Sequence, residues 1–154
     1  MDAVTHPHDD VAQELAQHFV AVKLESGKHP ELTRRLGVRW LPGMAVVDTD
    51  ERAANIQIGF LPVADLLAET AYGRAIVAMG AKRYDEAHAL FAQVVDTDGA
   101  ERAPEAAFWW GVSRYRQTKN FDMARAEWAR IVERWPRSQW ARKVGYTLEQ
   151  TVAT

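Results

Sequence analysis

Any side-chain chemistry in this 154-residue chain has to start from five histidines, because the chain contains no cysteine. The missing thiols exclude disulfides, thiolate metal sites and dithiol exchange. His6, His8, Asp9 and Asp10 form the one cluster of metal-ligand residue types. His-x-His sets both rings on one side of an extended segment, where zinc could use them with a carboxylate. No residues that would orient such ligands accompany them, so no metal is expected. His18, His29 and His88 have no Ser or Asp at a recognisable catalytic spacing. Neither Gly-x-Gly-x-x-Gly nor Gly-x4-Gly-Lys occurs, which leaves nucleotide binding unsupported. The chain reads as a non-enzyme with no cofactor.

Binding chemistry is better represented. Six tryptophans stand at 40, 109, 110, 128, 135 and 140. Trp128 and Trp140 lie on the apolar stripes of their helices. Trp109 and Trp110 are adjacent, so on one helix they point about 100° apart and cannot fill the same seam. Arg125, Arg130, Arg134, Arg137 and Arg142 are interspersed with Glu127 and Glu133 at helical spacing, which reads as a solvated face rather than an RNA surface. The net charge of −2 likewise predicts no bulk attraction to nucleic acid. It conceals an asymmetry: residues 1–100 carry 9 Lys and Arg against 15 Asp and Glu, whereas residues 101–154 carry 10 against 6.

The elements that must position these residues divide at about residue 61. In the first part, Val11, Leu15 and Phe19 make a helical stripe, with Asp10 as N-cap and Gln13 completing a capping box. Phe19-Val20-Ala21-Val22-Lys23-Leu24 has the length and character of a strand. Pro30 opens a short helix that Gly37 ends. Met44–Val47 and the alternating Ile56, Ile58 and Phe60 read as a hairpin. The order is α-β-α-β-β, with three strands. This order, with Gly37-Val38-Arg39-Trp40-Leu41-Pro42 before the hairpin, resembles the second half of a thioredoxin fold. The resemblance covers residues 1 to about 70 and lacks the family's Cys-x-x-Cys. It implies that Pro42 is the cis-proline and that Trp40, Leu41 and Pro42 form the loop that helps hold an extended peptide.

From Pro62 onward strand signals give way to Ala, Leu, Arg and Glu, and helices are expected near 62–80, 84–95, 104–117, 121–134 and 138–150. Tyr84-Asp85-x-Ala87-x3-Phe91-x2-Val94 aligns with Phe121-Asp122-x-Ala124-x3-Trp128-x2-Ile131 at an offset of 37. Each copy places a small residue where two helices approach and a large one a turn later. The pattern resembles the tetratricopeptide repeat in two copies with a capping helix. In that family the first helix of each pair lines a concave face. The resemblance therefore implies a partner groove formed by Tyr72, Ile76 and Met79 in one copy and Trp109, Ser113 and Arg116 in the other.

The chain thus reads as α/β followed by all-α: a truncated thioredoxin-like segment over 1–61 and a tetratricopeptide-like segment over 62–154. Together they resemble the chaperedoxins, and they imply a redox-inactive module that binds a protein or peptide partner. The alternative is a piece of a thioredoxin-family oxidoreductase whose Cys-x-x-Cys lies upstream of Met1. Hydrophobic residues at 47% and charged residues at 26% fit a soluble folded protein. The acidic start lacks a secretory pattern and no apolar run reaches about 18 residues, so a cytoplasmic protein without membrane or nucleic-acid partners is expected. The strand missing between 19–24 and 44–47 leaves two arrangements open, a closed-up sheet or a homodimer, and the dimer is favoured.

Overall fold

The computed structural model describes residues 5–149. The chain order is α1 (Asp9–His18), a 3-10 turn (Ser26–Lys28), α2 (Pro30–Arg35), β1 (Gly43–Val47), β2 (Ala53–Ile58), α3 (Val63–Gly80), α4 (Tyr84–Asp96), α5 (Ala103–Thr118), α6 (Phe121–Arg134) and α7 (Gln139–Glu149). The protein is mostly helical, with one two-stranded sheet among the described residues. None of these helices is long and apolar enough to cross a membrane.

The strands pair antiparallel, Gly43 opposite Ile58 and Val46 opposite Asn55, with a bulge after Val46. Their connection is a turn in which the Glu51 N–H donates to the Asp48 carbonyl. Glu51 takes a left-handed conformation, and Asp48 Oδ1 accepts from the N–H groups of Asp50 and Arg52. This three-residue connection is a common way to close a hairpin. One face of the sheet rests on α3 through Val46.

The third expected strand is a correction. Phe19–Leu24 follows α1 without regular secondary structure and enters no ladder, and Val20 and Val22 are 95% and 70% exposed. A strand needs a neighbour to supply its hydrogen bonds, and an apolar run specifies only a willingness to pair. The start of α1 also differs. His8 rather than Asp10 is the cap, its ring accepting from the Asp10 N–H at 3.4 Å.

The helices from α3 onward form a stack in which each packs on the next, joined by connections as short as two residues. Such connections turn successive helices antiparallel. Alanines 75, 78, 87, 103, 106, 107 and 124 are buried in the seams, so the backbones approach closely, and Phe91, Val94, Trp128 and Ile131 fill the space between them. Gly111 is required by the same approach: a Cβ there would lie 2.5 Å from Trp128 Nε1. That indole N–H donates to the Phe108 carbonyl at 3.0 Å, and the Phe108 and Trp128 rings stack. At the other end, α1 is held on α3 by buried Val11 and by the Glu14–Arg74 ion pair at 3.0 Å.

Candidate functional site

Two polar clusters are the first places to look for chemistry. In one, Glu69 of α3 sits almost fully buried among Asn55 of β2 and Arg102 at the start of α5. Asn55 Nδ2 donates to Glu69 Oε2 at 2.7 Å, and Arg102 Nε donates to both Glu69 oxygens at 3.2 Å. Arg102 Nη1 donates to Glu105 at 2.7 Å, and Glu105 accepts in turn from the Tyr72 hydroxyl at 2.9 Å. The Arg102 guanidinium also lies 4.7 Å from the Tyr72 ring centroid. Burial, and then the neighbouring Glu105 carboxylate, push the Tyr72 phenol well above its ordinary pKa. Although desolvation opposes it, hydrogen bonding to Glu69 and Glu105 raises that of Arg102. Every charge here faces an opposite one. The cluster ties the hairpin to the helical stack and leaves no group poised to react.

The second cluster brings a histidine to a serine, His88 Nδ1 to Ser113 Oγ at 3.3 Å. Its geometry rules out a nucleophile–base pair. Trp110 Nε1 donates to His88 Nε2 at 2.8 Å, which leaves the neutral ring's proton on Nδ1. Nδ1–H therefore donates to Ser113, whose hydroxyl donates onward to the Trp110 carbonyl at 2.7 Å. His88 cannot take the serine proton. Burial first, and then the nearby Arg114 charge, hold its pKa below the ordinary 6.5. Arg130 of α6 covers the other side of the arrangement, 4.8 Å from the Trp110 ring centroid, so Trp110 fastens α4, α5 and α6 together.

The expected groove is only partly assembled. Tyr72 is turned into the seam, edge-on to Phe91 at 5.8 Å, and Ser113 is fully buried. Neither is open to a partner, and both are corrections to the groove. Helical spacing identifies residues that share a stripe without saying which stripe the packing hides. Ile76, Met79 and Trp109 are half-buried against the core. The Trp109 Nε1 is buried and makes no hydrogen bond, while its ring meets Phe108 edge-on at 5.5 Å. Arg116 is exposed and donates to the Tyr84 hydroxyl at 3.2 Å. Among the described residues no three His, Asp or Glu side chains converge as a metal set, the His6–Asp10 segment included.

The surface that stands out is at the open end of the hairpin. Trp40 and Leu41 are 74% and 57% exposed, and Ile58 and Phe60 are 45% and 56% exposed. The backbone brings these two pairs together, because the Gly59 N–H donates to the Pro42 carbonyl at 2.7 Å directly beyond the Gly43–Ile58 pair. The Leu41–Pro42 peptide bond is cis. The sequence points to Trp40, Leu41 and Pro42, and its alternation assigns Ile58 and Phe60 to a buried face. Asn55 and its partner Val46 take the face against α3, so Ile58, three residues on, lies on the opposite face, and Phe60 lies past the last paired residue. Set against protein-family models, curated proteins and solved structures, the chain matches none of them.

Proposed function

We propose that the chain is a redox-inactive protein-interaction module that receives an apolar, extended stretch of a protein partner at the open end of its hairpin. The observation that carries this reading is the joint exposure of Trp40, Leu41, Ile58 and Phe60 around the Pro42–Gly59 hydrogen bond. Large aromatic and aliphatic side chains left together in water mark interaction surfaces, and aromatic anchors dominate the energetics of such contacts. An extended occupant suits the site because the neighbouring strands offer unpaired edge groups for main-chain hydrogen bonds.

The thioredoxin-like and tetratricopeptide-like resemblances belong to the same proposal. The first is supported by the order helix, irregular segment, short helix, Pro42 loop, hairpin and closing helix. The second is supported by the buried small-to-large pairs Ala87 with Phe91 and Ala124 with Trp128, which recur at the offset of 37 in successive helix pairs. On this reading the helical stack is the rigid base that holds the hairpin through Glu69, Arg102 and Asn55.

The experiment is a selection of random dodecamer peptides displayed on phage, with counter-selection on Trp40→Ala and Phe60→Ala. Enrichment of apolar, β-branched peptides that bind the wild-type chain and neither variant is the expected result. Peptides that bind all three chains equally would overturn the assignment of the surface.

A further inference from the structure

The hairpin carries a second unmet requirement beside its apolar end. In an antiparallel pair, residues alternate between exchanging hydrogen bonds with the partner strand and directing them away from it. The Gly59–Pro42 bond sets the phase here: Met44 with Gln57 and Val46 with Asn55 exchange hydrogen bonds, so Gly43, Ala45 and Val47 point theirs outward. No third strand pairs with β1 among the described residues. None of the five residues of β1 is a proline, and two are β-branched, so this edge is able to add a strand along its whole length.

We infer that β1 pairs antiparallel with β1 of a second copy, joining the two hairpins into one four-stranded sheet about a twofold axis at Ala45. This names the partner for the surface proposed above and rests on that reading. Ala45 of each copy lies opposite Ala45 of the other, and Gly43 lies opposite Val47, so all three outward-facing residues exchange hydrogen bonds. The small side chain at the axis allows the close approach.

Three observations favour a like copy over a foreign strand. Antiparallel self-pairing needs only an open strand of matching length, which the chain itself supplies, and it closes the assembly at two. It also brings the turn of one copy, where Arg35 pairs with Glu51 and Arg52 with Asp50 while Asp48 is held by backbone N–H groups, beside the Trp40 end of the other, where Arg39 is exposed, so no like charges are forced together there. Finally, Trp40, Leu41, Ile58 and Phe60, drawn together by the Gly59–Pro42 bond, expose with half-exposed Val47 on the order of 500 Å², toward the upper end of what a monomer leaves in its largest patch and enough for a second copy of the hairpin to cover.

The test is sedimentation equilibrium of the full chain from low to high micromolar concentration, beside Ala45→Pro and Val47→Lys. Proline at Ala45 removes an outward N–H, which an edge strand tolerates, and lysine at half-exposed Val47 places a like charge in each copy at the interface. The expected result is a reversible wild-type dimer, with both variants monomeric and retaining the wild-type helical circular dichroism. If the proline variant loses its fold, the lysine variant decides. Amide exchange gives a second readout: the N–H groups of Ala45 and Val47 slow at least about tenfold as the dimer forms. A wild-type monomer throughout, or a dimer indifferent to both substitutions, overturns the inference. A monomer whose Trp40 surface still binds selected peptides would overturn self-pairing alone, whereas loss of both would remove the interaction surface itself.

Discussion

Replacing Gly73 with alanine tests how the hairpin is seated on the stack. A Cβ at this position would lie 2.7, 2.8 and 2.9 Å from Cβ, Cγ2 and Cγ1 of Val46. All the side-chain carbons of Val46 are involved, so no rotamer change relieves the clash, and at 6% exposure the valine has little open space to enter. Restoring ordinary contact requires the hairpin and α3 to separate by about 1 Å, an overpacking strain of about 2 kcal/mol. Opposing it, alanine in a helix interior is favoured over glycine by about 1 kcal/mol. The net expectation is a loss of about 1 kcal/mol, or a fall of about 3 °C in the melting temperature for a chain of this size. Gly145→Ala in α7 is the matched control, because a Cβ there meets nothing within 4 Å and only the propensity gain remains. Urea denaturation followed by circular dichroism would therefore give the two alanine variants opposite signs. In the double variant Gly73→Ala with Val46→Gly, all three contacts disappear and the two substitutions become non-additive by more than about 1 kcal/mol. A Gly73→Ala variant that stabilises as much as Gly145→Ala, or an additive pair, would contradict the clash with Val46.

Arg102→Ala leaves the nearly buried Glu69 carboxylate without its cation and is expected to cost about 3 kcal/mol in denaturant unfolding; a cost near zero would mean the network is not formed. Because His88 is held below its ordinary 6.5, the unfolded chain takes up this proton first, so stability is full above about pH 6.5 and falls as the pH drops through the folded value. That acid-side slope should shrink in His88→Phe, as read by melting temperature against pH, and an unchanged slope would mean that burial does not hold His88 below its ordinary value. Trp109→Ala should cost about 3 kcal/mol of stability as a core truncation, and a variant of wild-type stability would return Trp109 to the list of exposed groove residues.

How much of this was legible in the sequence follows from the range of the forces involved. Helices α3 to α7 announce themselves through local spacing, proline starts and small-to-large alternation, and their observed bounds fall within a residue or so of those expected. The hairpin is equally local. Phe19–Leu24 is not, because its composition describes a strand while its partner depends on the rest of the fold. Glu69, Arg102 and Asn55 were missed for a related reason: they are 14 to 47 residues apart, and only the packing of α3 on the hairpin brings them together. One signal was available. Glu69 interrupts the apolar run Leu66-Leu67-Ala68 before Thr70-Ala71, and a carboxylate there implies a buried cation or amide. The groove failed at Tyr72 and Ser113 because the same stripe that would face a partner is the one the neighbouring helices cover.

Binding at the open end of the hairpin depends most directly on Trp40. The decisive measurement is the affinity of the Trp40→Ala chain for the tightest peptide selected on the wild type, set beside its urea midpoint. With three quarters of the indole in solvent, the midpoint should stay at the wild-type value while binding weakens about 30-fold, the loss of one anchor worth about 2 kcal/mol. Unchanged affinity, or a loss of binding matched by a loss of stability, would contradict it.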